Sequence, residues 1–381
     1  MENNMRSALV KLCLLIGAIF PIEQLVAEDD LATDYDVLKL PAVESHLASK
    51  SLIYSLYRHD QRIFASGHRG HILYSDDNGD SWTQAKVPVR SGILNVHFVN
   101  DSLGWAVGHG GIILHSNDGG ENWHKQYDGH RLGNEGLPFY QQLAAENPDN
   151  KFYQSLIGEM EYALQQGADK PLFNIFFINE KWGYAAGAYG ILLRTLDGGE
   201  SWRLAMHTVE NEDFYHLFDS VPMQNQKRLI AGEAGLIFAA ITGTVDENSE
   251  FVEGSIKLLD NSPYDGSFFT CVAADNGNVV IAGLRGQTFV SQDFGVSWSA
   301  VSKPATGSVN DSSKLSDGRI VLVTMTGNVL ISNDNGLSFS DAGRSPIGPL
   351  FAVAQAGANA LVLGGPDGIH KIFLEPKPSA N

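Results

Sequence analysis

Three aspartates, Asp213, Asp265 and Asp311, are the carboxylates of this 381-residue chain whose placement best suits a reaction, since each stands in the approach to an apolar run. A pair of carboxylates roughly 5 to 10 Å apart in a cleft cleaves a glycosidic bond by acid–base or nucleophilic chemistry. Aspartate is also the ordinary residue for opening a turn, and that is the reading adopted here, with a glycan hydrolase as the alternative. Metal chemistry has less to build on. His68 with His71, and His109 with His115, lack a third ligand at usable spacing, and the acidic loop Asp76-Asp77-Asn78-Gly79-Asp80 lacks the Gly and Glu positions of a calcium loop. No phosphate loop, dinucleotide fingerprint or nucleophile elbow is present. No metal, no cofactor and no catalytic residue is therefore expected.

The elements that would position such groups are marked by a short repeated turn. It reads Ser75/Asp77/Gly79/Trp82, Ser116/Asp118/Gly120/Trp123, Thr195/Asp197/Gly199/Trp202, Ser291/Asp293/Gly295/Trp298 and Ser332/Asp334/Gly336/Phe339. Successive aspartates of this Asp box lie 41, 79, 96 and 41 residues apart, so two steps are single repeats and two are near doubles. A period of about 40 residues in strand-rich sequence indicates a β-propeller. In each box the aspartate is expected to bond nearby backbone amides, and the aromatic residue to pack back into the sheet of its own blade. Sialidases carry the same box, but their Arg-Ile-Pro string is absent, and Arg62-Ile63-Phe64 reads as strand.

Gly-bounded turns between apolar strands count the blades where the box has decayed. They are Gly67–Gly70, Gly108–Gly111, Gly187–Gly190, Gly232–Gly235, Gly283–Gly286, Thr324–Gly327 and Gly365–Gly368, which makes an all-β, seven-bladed propeller. The seventh unit supplies three strands, and Tyr35–Leu40 is expected to add its outer strand and close the ring. Between the second and third blades, residues 129–171 carry apolar positions at helical spacing, Phe152, Leu156, Ile157, Met160, Ala163 and Leu164, stopped by Gly167. A shorter helix is expected near Phe139–Ala145. Together these make an inserted helical hairpin.

In a four-stranded blade the turn between strands two and three shares a face with the connection to the next blade, and the box turn lies opposite. One face should therefore carry the insertion and His68, Arg69, His109, His130, Arg131, Tyr189, Glu233 and Arg285 as a partner-binding group. Net charge is -18 with no basic tract, which disfavours nucleic acid and anionic membrane surfaces. Residues 1–27 read as a secretory signal, with Arg6 and Lys11 before the apolar run Leu12–Phe20. That run is too short to span a bilayer. The expectation is an exported, periplasmic, monomeric propeller over residues 28–381, without direct membrane insertion. Cys271 would then be the lone cysteine, inside a strand.

The strings Gly104-Trp105-Ala106-Val107-Gly108-x-x-Gly111-Ile112-Ile113-Leu114-x-Ser116-x-Asp118-Gly119-Gly120-x-x-Trp123 and Gly183-Tyr184-Ala185-Ala186-Gly187-x-x-Gly190-Ile191-Leu192-Leu193-x-Thr195-x-Asp197-Gly198-Gly199-x-x-Trp202 resemble the photosystem II stability/assembly factor-like family of BNR-repeat propellers. The resemblance implies a non-enzymatic assembly factor that holds an integral membrane protein. The partner would be a photosystem subunit, in the thylakoid lumen of a photosynthetic cell, or an envelope transporter complex elsewhere. It also implies an arginine-bearing face, to which Arg69, Arg131 and Arg285 correspond here.

Overall fold

Runs of β-branched and aromatic residues, cut at short intervals by turns that need positive φ, favour many short antiparallel strands over long ones. The computed structural model describes residues 35–223, 227–241, 244–245, 251–252, 256–301, 306–343 and 345–375. The expected signal sequence, 1–27, lies outside them. The chain divides into Met1–Asp36 and Val37–Asn381, and every sheet belongs to the second unit. Six four-stranded sheets and one of three strands are present among the described residues, with a small two-stranded hairpin beside the fourth. The first strands are Ile53–His59, Ile93–Phe98, Leu172–Phe177, Leu217–Pro222, Phe268–Ala273, Val309–Lys314 and Ala352–Gln355. Each contacts the next, and the seventh returns to the first. This is the expected seven-bladed propeller.

Seven apolar clusters hold it together, and each lies between two neighbouring blades. The Asp boxes build these joints. In the first box Ser75 Oγ donates to Asp77 Oδ1 at 2.7 Å and accepts from Gly79 N at 2.8 Å, while Asp77 accepts from Ser81 N at 2.9 Å. The same closure recurs in the other four boxes. The hydroxyl and amide of Ser81, with the Ser75 hydroxyl, hold the Asp77 carboxyl well below the usual carboxylate range. The fixed turn sets its glycine at positive φ against the preceding blade. An added Cβ would meet Val362 at Gly79, Phe64 at Gly120 and Val280 at Gly336.

The box aromatics enter the same joints rather than the sheets of their own blades, which corrects the expected packing. Trp82 lies beside Val362, Trp123 beside Phe64 and Phe339 beside Val280. Trp298 departs further from the pattern. Half-buried like Trp82 and Phe339, it lies at the edge of the cluster between blades four and five that holds Leu229 and Phe268. Its indole Nε1 is buried with no hydrogen-bond partner among the described residues. In the second box Trp123 Nε1 donates to Gly120 O at 2.9 Å, whereas the matching Gly295 O accepts from Asn261 Nδ2 at 2.9 Å.

The N-terminal strand also needs correction. No residue from 35 to 40 joins a sheet; Val37–Lys39 forms a turn, the Val37 carbonyl accepts from Arg90 N at 2.8 Å, and Leu38 packs among the apolar residues between blades one and two. Leu38 finds its buried site against Gly110 rather than at the edge of blade seven. Blade seven joins blade one through side chains instead, by an apolar cluster around Ile53 and Val362 and by the Lys371–Asp80 ion pair at 2.6 Å. The short turn Ala48–Lys50 packs on its last strand, Gly368–Phe373.

The hairpin's first helix is longer than expected. Helix α1 runs His130–Glu146 and α2 runs Lys151–Gln166. Gly133 and Gly136 read as helix breakers by propensity, yet here they let α2 approach closely: a Cβ on either would strike Leu164 or Met160. Helix α2 starts where Asn150 Oδ1 caps Phe152 N at 3.0 Å and stops at Gly167.

Gly336→Ala should lower stability by about 2–4 kcal/mol, from backbone strain at φ +86 plus a clash 2.3 Å from Val280. Gly167→Ala, with nothing within 4 Å at φ +73, should cost only about 1 kcal/mol. Thermal unfolding of the two variants side by side checks this; equal losses would remove the box glycine from the joint.

Candidate docking face

Six of the seven turns between strands two and three are tied by a backbone bond to the segment leading into their own inner strand. His68 N donates to Leu52 O, His109 N to Gly92 O, Ala188 N to Pro171 O, Glu233 N to His216 O, Leu284 N to Ser267 O and Met325 N to Ser308 O, all at 2.9–3.1 Å. The insertion begins on the same face, where Gly129 N donates to Gly110 O at 2.8 Å. At the tips, Arg69, Gly110, Tyr189, Ala234 and Arg285 occupy one equivalent position with φ between 52 and 73. Four of these five are not glycine, an uncommon backbone state that persists only where surrounding contacts fix it.

The expected residues divide by what they touch. Arg69 and Arg285 are exposed, and their guanidinium groups have no ion pair or hydrogen bond among the described residues. His68 and His130 are exposed. His109 lies 6.0 Å from the Tyr54 ring, and partial burial of its imidazole pushes it below the ordinary histidine value. Tyr189 is 45% exposed and stands 5.1 Å from His216. The Glu233 carboxylate pairs with His216 Nδ1 at 3.1 Å. Arg131 is occupied: it bonds Glu135 at 2.6 Å and Gln126 O at 2.9 Å and covers the Tyr127 ring at 4.6 Å. It fastens α1 to the outer strand of blade two.

Two features escaped sequence reasoning. Lys170, only 4% exposed, sits over Tyr162 of α2 at 4.6 Å and near Tyr189 at 5.3 Å, coupling the hairpin to the third turn. A β-bulge also interrupts the start of the inner strand in each of blades one to six, and skips Tyr54, Leu94, Phe173, Phe218, Phe269 and Asn310. Phe351 occupies the matching place in blade seven. On the box face the fold gathers His59, Asp60 and Asp101, with His59 Nε2 3.3 Å from Asp101. Both aspartates of that group are exposed.

The profile of the family described as Photosynthesis system II assembly factor YCF48 matches residues 80–135 and 160–341. No curated protein sequence matches. Among solved structures, YCF48 bound to D1 peptide is 14% identical, covering 88% of this chain and all of that one, with a TM-score of 0.57. YCF48 from Cyanidioschyzon merolae is 13% identical over 86% of this chain and 96% of that one, TM-score 0.59. Streptogramin B lyase, at 10% identity over 86% and 95%, has the same TM-score of 0.59. At these identities the structures speak for the fold alone.

The three aspartates do not form one site. Asp213 is exposed and lines a cavity of about 670 Å³ beside the start of α2. Asp265 is exposed next to Gly235. Asp311 lines a separate cavity of about 380 Å³ with Arg58, Asp60 and Lys314. Its carboxylate accepts from Val353 N and Ser312 N, both at 2.8 Å, tying blade six to blade seven. Asp219 does the same between blades four and five, accepting from Cys271 N at 2.9 Å.

Burial pushes Asp311 up to about 8; the Asp219 charge adds to the rise and the two amides oppose it. An unfolded chain ionises near about 3.9, so between about pH 4 and 8 the folded state keeps a proton that the unfolded state has released. The stability from this group is complete below about pH 4 and is lost as pH rises to about 8. Asp311→Asn should therefore gain on the wild type steadily across that window in urea unfolding at about pH 5, 6.5 and 8. A constant offset would mean the carboxyl is already ionised throughout.

Proposed function

Since the chain belongs to the Photosynthesis system II assembly factor YCF48 family, we propose that it is an exported, non-catalytic scaffold that holds a segment of an integral membrane protein on its turn-and-insertion face. The partner is a photosystem subunit if the cell is photosynthetic and an envelope transporter complex if it is not. The observation that carries this reading is the pair Arg69 and Arg285, exposed and unpaired among the described residues on a protein of net charge -18. Holding an arginine in a left-handed turn costs backbone energy that packing does not return, which argues for a side chain kept for contact. The relative seen with a D1 peptide supports a peptide as the held segment, and export rests on the reading of residues 1–27. Arg131, spent on Glu135 and Gln126, drops out of the docking group.

Photo-crosslinking of the full chain to membranes from its own cells tests the reading. Arg69→Glu with Arg285→Glu should reduce the recovered integral membrane protein at least ten-fold, with thermal unfolding unchanged. Arg69→Gly with Arg285→Gly, which copies the turn geometry of Gly110, should do the same without new charge. Recovery equal to wild type in both variants would overturn the proposal.

A further inference from the structure

The bulged residues form a second feature of this face. Tyr54, Leu94, Phe173, Phe218 and Phe269 are skipped by bulges one residue after the first buried position at the turn end of their inner strands, and Phe351 takes the matching place in blade seven without a bulge, its amide donating to Gly364 O. All are half-buried, and none belongs to any of the seven interblade clusters. They are apolar residues the core does not use. Phe173 and Phe218 lie 5.4 Å apart, Phe218 and Phe269 5.3 Å, and His216 joins Phe173 at 5.9 Å. The exception is Asn310, whose amide donates to Leu350 O at 2.7 Å. A bulge leaves its extra residue out of the ladder and re-aims the side chain, so the repeat sets an apolar collar along the turn ends of the inner strands, continuous by ring contact across blades three to five.

We infer that this collar is a side-chain socket: it takes one aromatic or large aliphatic side chain from an extended peptide whose flanking carboxylates are met by Arg69 and Arg285. The inference rests on the peptide-docking reading above and specifies what is recognised. Its warrant is charge complementarity joined to apolar capacity. Arg69 tops blade one and Arg285 blade five, on opposite sides of the ring, so a strand crossing between them passes over the collar. Glu233, the carboxylate at the tip of blade four, is held locally by the His216 amide, which donates to it at 3.1 Å. An aromatic side chain buried among several rings gains area and edge-to-face contact, and flanking acids exclude the basic segments that an acidic protein would otherwise attract.

Fluorescence anisotropy with synthetic peptides tests this on the full chain. The probe is a dye-labelled Gly-Glu-Ser-Phe-Ser-Glu-Gly. The comparisons replace its Phe by Ser, or both Glu by Lys. The expected result is binding of the probe, at least ten-fold weaker binding of each altered peptide, and at least ten-fold weaker probe binding by Phe218→Ala and by Arg69→Gly with Arg285→Gly. Phe269→Leu keeps the socket apolar and should retain the probe within about three-fold, which separates loss of the socket from loss of folding. No binding of the probe, equal binding of the Lys peptide, or unchanged binding by Phe218→Ala would each overturn the inference. So would concentration-dependent dimerisation that displaces the probe, because a second copy would then be the occupant. Intact membrane capture combined with any of these failures would sink the socket and leave the docking reading standing.

Discussion

Five of the seven joints of this ring depend on one small closed circuit: a hydroxyl that donates to a carboxylate while accepting from a glycine amide. In the first box Ser75, Asp77 and Gly79 complete it within a single turn. The circuit fixes a glycine at positive φ, where the missing Cβ becomes the contact surface for the blade before it. With side chain and turn locked, the box aromatic has one direction left, into the joint. The polar circuit thus places the apolar cluster, and five joints follow from five boxes. The joint between blades two and three shows the same logic with a polar partner, where Trp202 Nε1 reaches Gln126 Oε1 at 3.3 Å. Trp298 shows what the circuit does not fix: the turn closes as in the other boxes, while Asn261 bonds the carbonyl matching the one that Trp123 uses.

A face so used has little left to offer a partner. The opposite turns share one backbone state with different residues at their tips: arginine on blades one and five, glycine on blade two, tyrosine on blade three, alanine on blade four. Those tips share one backbone state but not one chemistry, the reverse of the boxes, where the chemistry repeats. Repetition follows structural need, and variation at a fixed geometry leaves room for recognition. Lys170 extends the decorated face into the hairpin by sitting between rings from α2 and the third turn.

The blade count and the face of the insertion were legible in the sequence because glycine pairs and box spacings report backbone geometry directly. The outer strand at Tyr35–Leu40 was misplaced because an apolar alternation says that a side chain will be buried without saying where; Leu38 is buried, but in the joint between blades one and two. Arg131 was grouped with Arg69 and Arg285 because side-chain pairing at i and i+4, here with Glu135, depends on helix α1 reaching back to His130. Gly133 and Gly136 concealed that reach. The bulges had a readable trace. Ile53-Tyr54, Leu172-Phe173, Leu217-Phe218 and Phe268-Phe269 each set two apolar residues side by side where a strand period of two calls for one.

That doubling separates the two kinds of repeat in the chain. A residue repeated because the ring must close should be found in the joints, as the box aromatics are. The bulged residues repeat just as regularly but belong to none of the seven apolar clusters, and meet across blades three to five by ring edges and faces alone. Half-buried aromatic surface left outside the core gives up part of the stabilisation that full burial would bring. Closure does not require it, since blade six carries Asn310 at the same place and keeps its full sheet. The profile of the family passes over residues 136–159, the heart of the inserted hairpin, yet spans the bulged strands of blades two to six. The bulge positions of blades two to six thus lie within the span that the family shares, and the heart of the hairpin lies outside it.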